Sequence, residues 1–245
     1  MTAPVFVVDE VPSGGGEFVL DGPEGRHAVS VRRLRAGEPV VLTDGRGHGA
    51  AAVVLAAEGK DQLTVELTGS LLDPEPAPRI TVVQALPKGE RGELAVETMT
   101  ETGVDAIVPW AASRCITQWR SERGLKSLGK WRATAREAGK QARRLRFPEV
   151  AELASTREVA ALLAGASFAG VLHEEGSAPL ATAGLPASGD VVLVVGPEGG
   201  VSPEELDIFA EAGAKPYRLG PSVLRTSTAG TAAVALLLGR TGRWG

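Results

Sequence analysis

The chain has 245 residues, 43% hydrophobic and 23% charged, with a net charge of −4; this fits one large or two modest globular domains and excludes disorder as the main state. Apolar runs such as Val191–Val195 and Val234–Leu238 fall far short of the roughly 20 residues that cross a bilayer, and the start carries no basic-then-apolar leader, so neither a span nor a signal peptide is expected. A single cysteine, Cys115, and three histidines, His27, His48 and His173, offer no internal disulfide and no closely spaced metal ligands, so the expectations are no metal and a reducing, cytoplasmic setting.

Residues 1 to about 72 read as short strands, Val5–Val8, Glu17–Leu20, Pro39–Thr43, Ala50–Ala56 and Gln62–Leu67, separated by turns such as Ser13–Gly16 and Asp44–Gly49. A small β-barrel is the economical expectation. The alternating prolines of Asp73–Pro78 favour an extended connector over helix or sheet interior, which puts a domain boundary there and gives domains of 1–73 and 74–245.

After the connector, Ile80–Ala85 predicts a strand, Glu90–Thr102 a helix ended by Gly103, Ala106–Pro109 a strand and Leu125–Arg144 a long basic helix. Ala169–His173 and Val191–Val195 predict strands, Pro203–Ala212 a helix ended by Gly213, and Thr228–Leu238 a small-residue helix ended by Gly239. Alternating strands and helices predict an α/β domain with a mainly parallel sheet. The small-residue helix reads either as an ordinary core helix or as an interface helix.

Charge is segregated. From Arg114 to Arg146 eleven Lys/Arg stand against Glu122 and Glu137, a net of +9 that leaves −13 for the remainder. A second basic cluster is Arg26, Arg32, Arg33 and Arg35. Such patches attract a polyanion whatever the total charge, although a solvated helix face reads the same way.

Two segments point to a ligand. In Val191–Glu205 an all-apolar strand runs into Gly196-Pro-Glu-Gly-Gly200 and then into a helix that Ser202 can cap, with Pro203 at its first position and Glu205 completing a capping box. Glycines without Cβ allow main-chain groups close to a ligand, and the carboxyl end of a parallel strand is where such ligands sit. The spacing matches neither a dinucleotide fingerprint nor a phosphate loop, and Glu198 in mid-turn disfavours phosphate while favouring a cation or hydrogen-bond donor. A plain strand-to-helix turn with an exposed Glu is the other reading. In Tyr217–Ala229, Gly220-Pro221 forces a turn, Thr226 or Ser227 can cap the following helix, and Arg225 can hold a carboxylate or phosphate or serve as a surface ion-pair partner.

Three motifs taken together resemble the ribosomal RNA small subunit methyltransferase E family: Ala85-Leu-Pro-Lys-Gly-Glu-Arg91 with Glu101-Thr-Gly-Val-Asp105, Val195–Glu205, and Leu219-Gly-Pro-Ser-Val-Leu-Arg-Thr226. His27–Gly37 and Asp44–Gly47 resemble its RNA-binding half, so the likeness covers nearly the whole chain. It implies a PUA-like β-barrel followed by a SPOUT α/β domain with a C-terminal trefoil knot, and a homodimer that uses S-adenosylmethionine to methylate N3 of a uridine in 16S ribosomal RNA of the small subunit. Where relatives commonly read Leu-Arg-Thr-Glu, this chain has Ser227, so no role of that glutamate transfers; Arg32 replaces a common leucine.

The resemblance further implies a cofactor pocket of three loops. Leu172 and His173 come from the first; Val195, Gly196, Pro197, Gly199 and Gly200 from the second; Leu219, Gly220, Val223, Leu224 and Thr226 from the third. Glu198 is the expected base for the N3 proton, Arg225 the stabiliser of the resulting anion or the grip on an adjacent phosphate, and Glu174 a second candidate carboxylate. His173 could also titrate near neutral pH, although a lone histidine at a strand end more often serves structure. Expected RNA contacts are Arg26, Arg32, Arg33 and Arg35, then Lys88 and Arg91, then Arg136, Lys140, Arg143 and Arg144. The alternatives are a knotted methyltransferase acting on another RNA atom and a non-catalytic RNA-binding or ribosome-assembly factor.

Overall fold

The computed structural model describes residues 3–12 and 14–245, so the first residue of the expected Ser13–Gly16 turn lies outside the described residues. The chain divides into two compact units. The first comprises residues 1–75 together with Gly139–Phe147; the second comprises Pro76–Ala138 and Pro148–Gly245.

The first unit contains strands β1 (Val5–Val7) and β2 (Gly16–Leu20), a short helix α1 (Gly22–Arg26), then β3 (Pro39–Thr43), β4 (His48–Glu58) and β5 (Gln62–Leu72). They form one mixed sheet in the order β1-β3-β4-β5-β2, with β1 parallel to β3 and the other pairs antiparallel. Alternate residues of these strands, among them Phe6, Leu20, Val40, Leu42, Val54, Leu63 and Val65, build its core, as a half-buried antiparallel sheet requires. Irregularities between Ala51 and Ala52 and between Val54 and Ala56 bend the long β4/β5 ribbon.

Segment 139–147 completes this unit. Phe147 donates its backbone N–H to Gly45 O at 2.8 Å, Gly47 N–H reaches Leu145 O at 3.0 Å, and the Thr43 hydroxyl donates to the same Leu145 oxygen at 2.8 Å. Gly45 takes φ +73, and a Cβ there would stand 2.8 Å from the Phe147 ring. Nothing in the local sequence of residues 139–147 announces this partnership.

The second unit runs β6 (Arg79–Ala85), α2 (Arg91–Thr102), β7 (Ala106–Trp110), α3 (Ser121–Gln141, its last turn in the first unit), β8 (Glu149–Val150), α4 (Thr156–Gly165), β9 (Phe168–Leu172), β10 (Ala178–Pro179), β11 (Asp190–Val195), α5 (Pro203–Glu211), β12 (Lys215–Arg218) and α6 (Thr226–Arg240). The sheet is parallel throughout, ordered β10-β12-β9-β11-β6-β7-β8. Val191–Val195 of β11 are all buried because helices cover both faces: α6 lies on β6 and β11 and packs against α2, and α4 lies on β9 and β11 and packs against α5.

Several boundaries differ from expectation. Helix α3 starts at Ser121 and stops at Gln141, so Arg143 and Arg144 lie beyond it, Arg143 with a left-handed φ of 58. Helix α6 starts at Thr226 and continues through Gly239 to Arg240, because tertiary packing offsets the roughly 1 kcal/mol that one helical glycine costs. Helix α4 was not expected, although Ser155 and Glu158 form a full capping box at its start.

Candidate active site

The sheet order brings three loops together. Strands β12, β9 and β11 are neighbours, so the segments leaving their carboxyl ends, at Leu172, Val195 and Arg218, emerge side by side. The first loop is held by His173, whose backbone N–H donates to Tyr217 O at 2.9 Å and whose Nδ1 accepts from Glu175 N–H at 3.2 Å. The second is a tight turn in which Gly200 N–H donates to Pro197 O at 2.9 Å with Gly200 at φ +74, while a Cβ on Gly196 would meet Val201 Cγ2 at 2.8 Å. The third is fastened to the second by the Thr226 hydroxyl, which donates to Gly196 O at 3.0 Å.

Helix α5 begins as its sequence dictates. Ser202 Oγ accepts from Glu205 N–H, and Glu205 Oε2 accepts from Ser202 N–H at 3.0 Å. The same buried carboxylate reaches further: Oε1 accepts from Ser113 N–H at 2.7 Å and from the Thr156 hydroxyl at 3.3 Å. Glu205 therefore ties the start of α5 to the loop after β7 and to the start of α4. Helix α6 departs from expectation, since Arg225 occupies its N-cap without a side-chain cap, and neither Thr226 nor Ser227 caps it. Thr226 uses its hydroxyl to clasp the neighbouring loop instead, and Ser227 is buried.

The three loops enclose a cavity of about 660 Å³, within the usual range for small-ligand sites. The structure gathers here every residue expected to hold a cofactor: Leu172 and His173, Val195 through Pro197 with Gly199 and Gly200, and Leu219, Gly220, Val223, Leu224 and Thr226. Glu174, Glu198 and Arg225 line the same cavity. Glu198 Oε1 accepts from Lys88 N–H at 3.2 Å, which fixes the carboxylate beside the loop carrying Lys88 and Arg91.

Arg114 joins the site without having been singled out. Its Nη1 donates to Gly199 O at 3.1 Å, and a Cβ on Gly199 would sit 3.2 Å from Arg114 Cβ, so this turn and the loop after β7 press on each other. Its only sequence signal was membership of the basic stretch. Cys115, next to it, is buried; burial pushes its thiol up and outweighs the opposing backbone hydrogen bonds at Ala112 and Leu86, with smaller upward pushes from Glu205 and Glu198, so it is a protonated core thiol.

The expected RNA contacts divide. Arg26, Arg32, Arg33 and Arg35 are exposed on the first unit, Arg33 with φ 55; Lys88, Arg91 and Arg136 are exposed on the second; Arg143 is exposed and Arg144 partly so. Lys140 is the correction. It is buried, and its Nζ pairs with Glu24 at 2.8 Å within the first unit, so its ammonium holds α1 and cannot reach a phosphate in this conformation.

Comparison with known proteins places the chain in a family. The RNA methyltransferase domain family matches residues 73–238, and the RNA methyltransferase PUA domain family matches residues 20–68. The ribosomal RNA small subunit methyltransferase E of Mycobacterium bovis is 44% identical over 248 residues, covering 100% of this chain and 94% of its own length. The protein of that name from Bacillus subtilis is 27% identical, covering 91% and 88%. Among solved structures, a ribosomal RNA small subunit methyltransferase E from Neisseria gonorrhoeae bound to S-adenosyl methionine superposes with a TM-score of 0.85 at 28% identity, covering 98% of each chain. A Legionella pneumophila protein in complex with the cofactor SAM gives the same TM-score, identity and coverage.

Proposed function

This chain belongs to the ribosomal RNA small subunit methyltransferase E family and is an S-adenosylmethionine-dependent methyltransferase of 16S ribosomal RNA; we propose that the methyl goes to N3 of a uridine in the small subunit and that the chain works as a cytoplasmic homodimer with a C-terminal trefoil knot, its domains divided near residues 73–75 but with segment 139–147 returning to the first. The observation that carries this reading is the convergence of Glu198 and Arg225 on the same cavity as the two glycine-bearing loops.

The cavity suits the cofactor. Gly196 and Gly199 leave main-chain groups bare where side chains would intrude, and Leu172, Val195, Leu219, Val223 and Leu224 supply apolar surface for an adenine. S-adenosylmethionine supplies an electrophilic methyl on its sulfonium. The chain's own task is then to hold the nucleophilic nitrogen in line and to exclude water. Uridine N3 carries a proton that must leave; Glu198, held by Lys88 N–H through one oxygen, takes it with the other. Arg225 stabilises the uridine anion or grips the neighbouring phosphate, and Glu174 lies on the same wall as a second carboxylate. The exposed arginines and lysines named above contact phosphates and orient the RNA.

The test is methyl transfer from labelled S-adenosylmethionine to small subunits lacking the modification, with the product nucleoside identified by mass spectrometry. N3-methyluridine is expected. Glu198→Gln and Arg225→Ala are each expected to lower kcat by about 100-fold or more with cofactor affinity kept; wild-type turnover in both would remove these two assignments.

A further inference from the structure

An apolar cleft adjoins the cofactor cavity and no role has been given to it. Lys88, Gly89, Glu90, Arg91, Leu94, Ile116 and Glu198 line it, and Glu198 and Arg91 also line the cofactor cavity. Its volume of about 800 Å³ is in the small-ligand range.

The cleft's wall is built unusually. Ile116 is 71% exposed and Leu94 45% exposed, although the loop that carries Ile116 is firmly held on either side of it. Ser113 N–H is bonded to buried Glu205 at 2.7 Å, the Arg114 guanidinium to Gly199 O at 3.1 Å, and the Thr117 hydroxyl to Pro87 O at 2.7 Å; Cys115 is buried between them. A mobile loop could fold its isoleucine away from water. This one is held at Ser113, Arg114 and Thr117 with Ile116 outward, so an apolar face is open to solvent beside the carboxylate that faces the cofactor cavity.

The charges beside that face specify the occupant. Lys88 and Arg91 are exposed cations at the cleft with the exposed carboxylate of Glu90 between them in sequence, and Glu198 is the acceptor, its Oε1 already fixed by Lys88 N–H. An apolar wall, flanking cations and a carboxylate acceptor match the flat face, the phosphate and the N–H edge of one nucleotide turned out of its stack. We propose that the Ile116/Leu94 cleft seats the base of the target nucleotide, with Lys88 and Arg91 on its flanking phosphates and its N3–H directed at Glu198. The inference rests on the uridine-N3 reading and names the place where that uridine sits.

The test compares wild type with Ile116→Asp, Ile116→Leu and Leu94→Asp in steady-state methyl transfer to unmodified small subunits. Binding of S-adenosylmethionine, binding of the subunit, thermal unfolding and sedimentation are measured in parallel. The expected result is that both aspartate variants lose at least about tenfold in kcat/KM with cofactor and subunit affinities within about twofold and sedimentation unchanged, while Ile116→Leu keeps near wild-type turnover. Wild-type turnover in Ile116→Asp overturns the proposal. So does a lost cofactor affinity, which would assign the wall to the neighbouring cavity, and so does a changed sedimentation coefficient, which would make the cleft a seat for a second copy. If Ile116→Asp fails to fold, Leu94→Asp on the exposed face of α2 decides by the same criteria. A wild-type chain that methylates RNA at another atom removes the uridine-N3 reading itself, a result separate from any behaviour of the variants.

Discussion

Thr226 shows how much of the site hangs on single side chains. Its hydroxyl fastens the third pocket loop to the second by donating to Gly196 O at 3.0 Å. Thr226→Val keeps the shape and removes the donor, so cofactor binding should weaken about fivefold, equivalent to ~1 kcal/mol, by calorimetry, and Thr226→Ser should restore it. Glu205 carries more. Removing its carboxylate leaves the Ser113 and Ser202 N–H groups without this acceptor in a buried place, so Glu205→Ala should lower stability by about 2–4 kcal/mol in a denaturant titration. Asp44 gives a pH signature. Burial pushes its carboxyl up, but hydrogen bonds from Arg46 N–H, the His48 ring and His48 N–H outweigh that and hold it below the ordinary 3.8. A lowered carboxylate stabilises the fold above its unfolded value and loses that contribution as pH falls through its lower folded value, so Asp44→Asn should flatten the acid limb of the unfolding curve below about pH 4.

At the level of elements, the start of α5 and the end of α2 were the most legible, whereas α4 was missed despite its capping box. Ser202, Pro203 and Glu205 foretell the start of α5 because capping is local chemistry, and Gly103 at φ 114 ends α2 for the same kind of reason. The start of α6 was not legible, since Thr226 serves a partner thirty residues away in sequence. One face of α6 packs in the core: Gly230, Ala233, Val234 and Leu237 are buried, α6 packs on α2, and Thr231 and Thr98 share a hydrogen bond of 2.7 Å. A Cβ on Gly230 would stand 2.5 Å from Met99 Sδ. Gly230→Leu should therefore cost about 1–3 kcal/mol or more by thermal unfolding, whereas a change at exposed Ala232 should cost less than about 0.5 kcal/mol.

For the whole molecule, charge segregation outweighs total charge. A chain of net −4 with a +9 stretch should bind RNA with a steep salt dependence and cofactor with a shallow one. Filter binding between 50 and 200 mM salt should show RNA affinity falling more than about tenfold while cofactor affinity changes less than about twofold; equal slopes would count against the phosphate contacts.

The sequence by itself determined most of the elements and their order, the turn that must carry Gly196–Gly200 and the family, because caps, periodicity and motif spacing are local in the chain; α4 and the two-residue strands β8 and β10 escaped it. Tertiary structure alone decided that β12, β9 and β11 are neighbours, and hence that their three loops share one cavity. It also decided that Arg114 touches Gly199, that Lys140 is spent on Glu24 and that residues 139–147 complete the first unit. These pairings join residues 23 to 116 positions apart. Local propensity does not encode such pairings, and they form only when burial of the apolar strands brings the segments together.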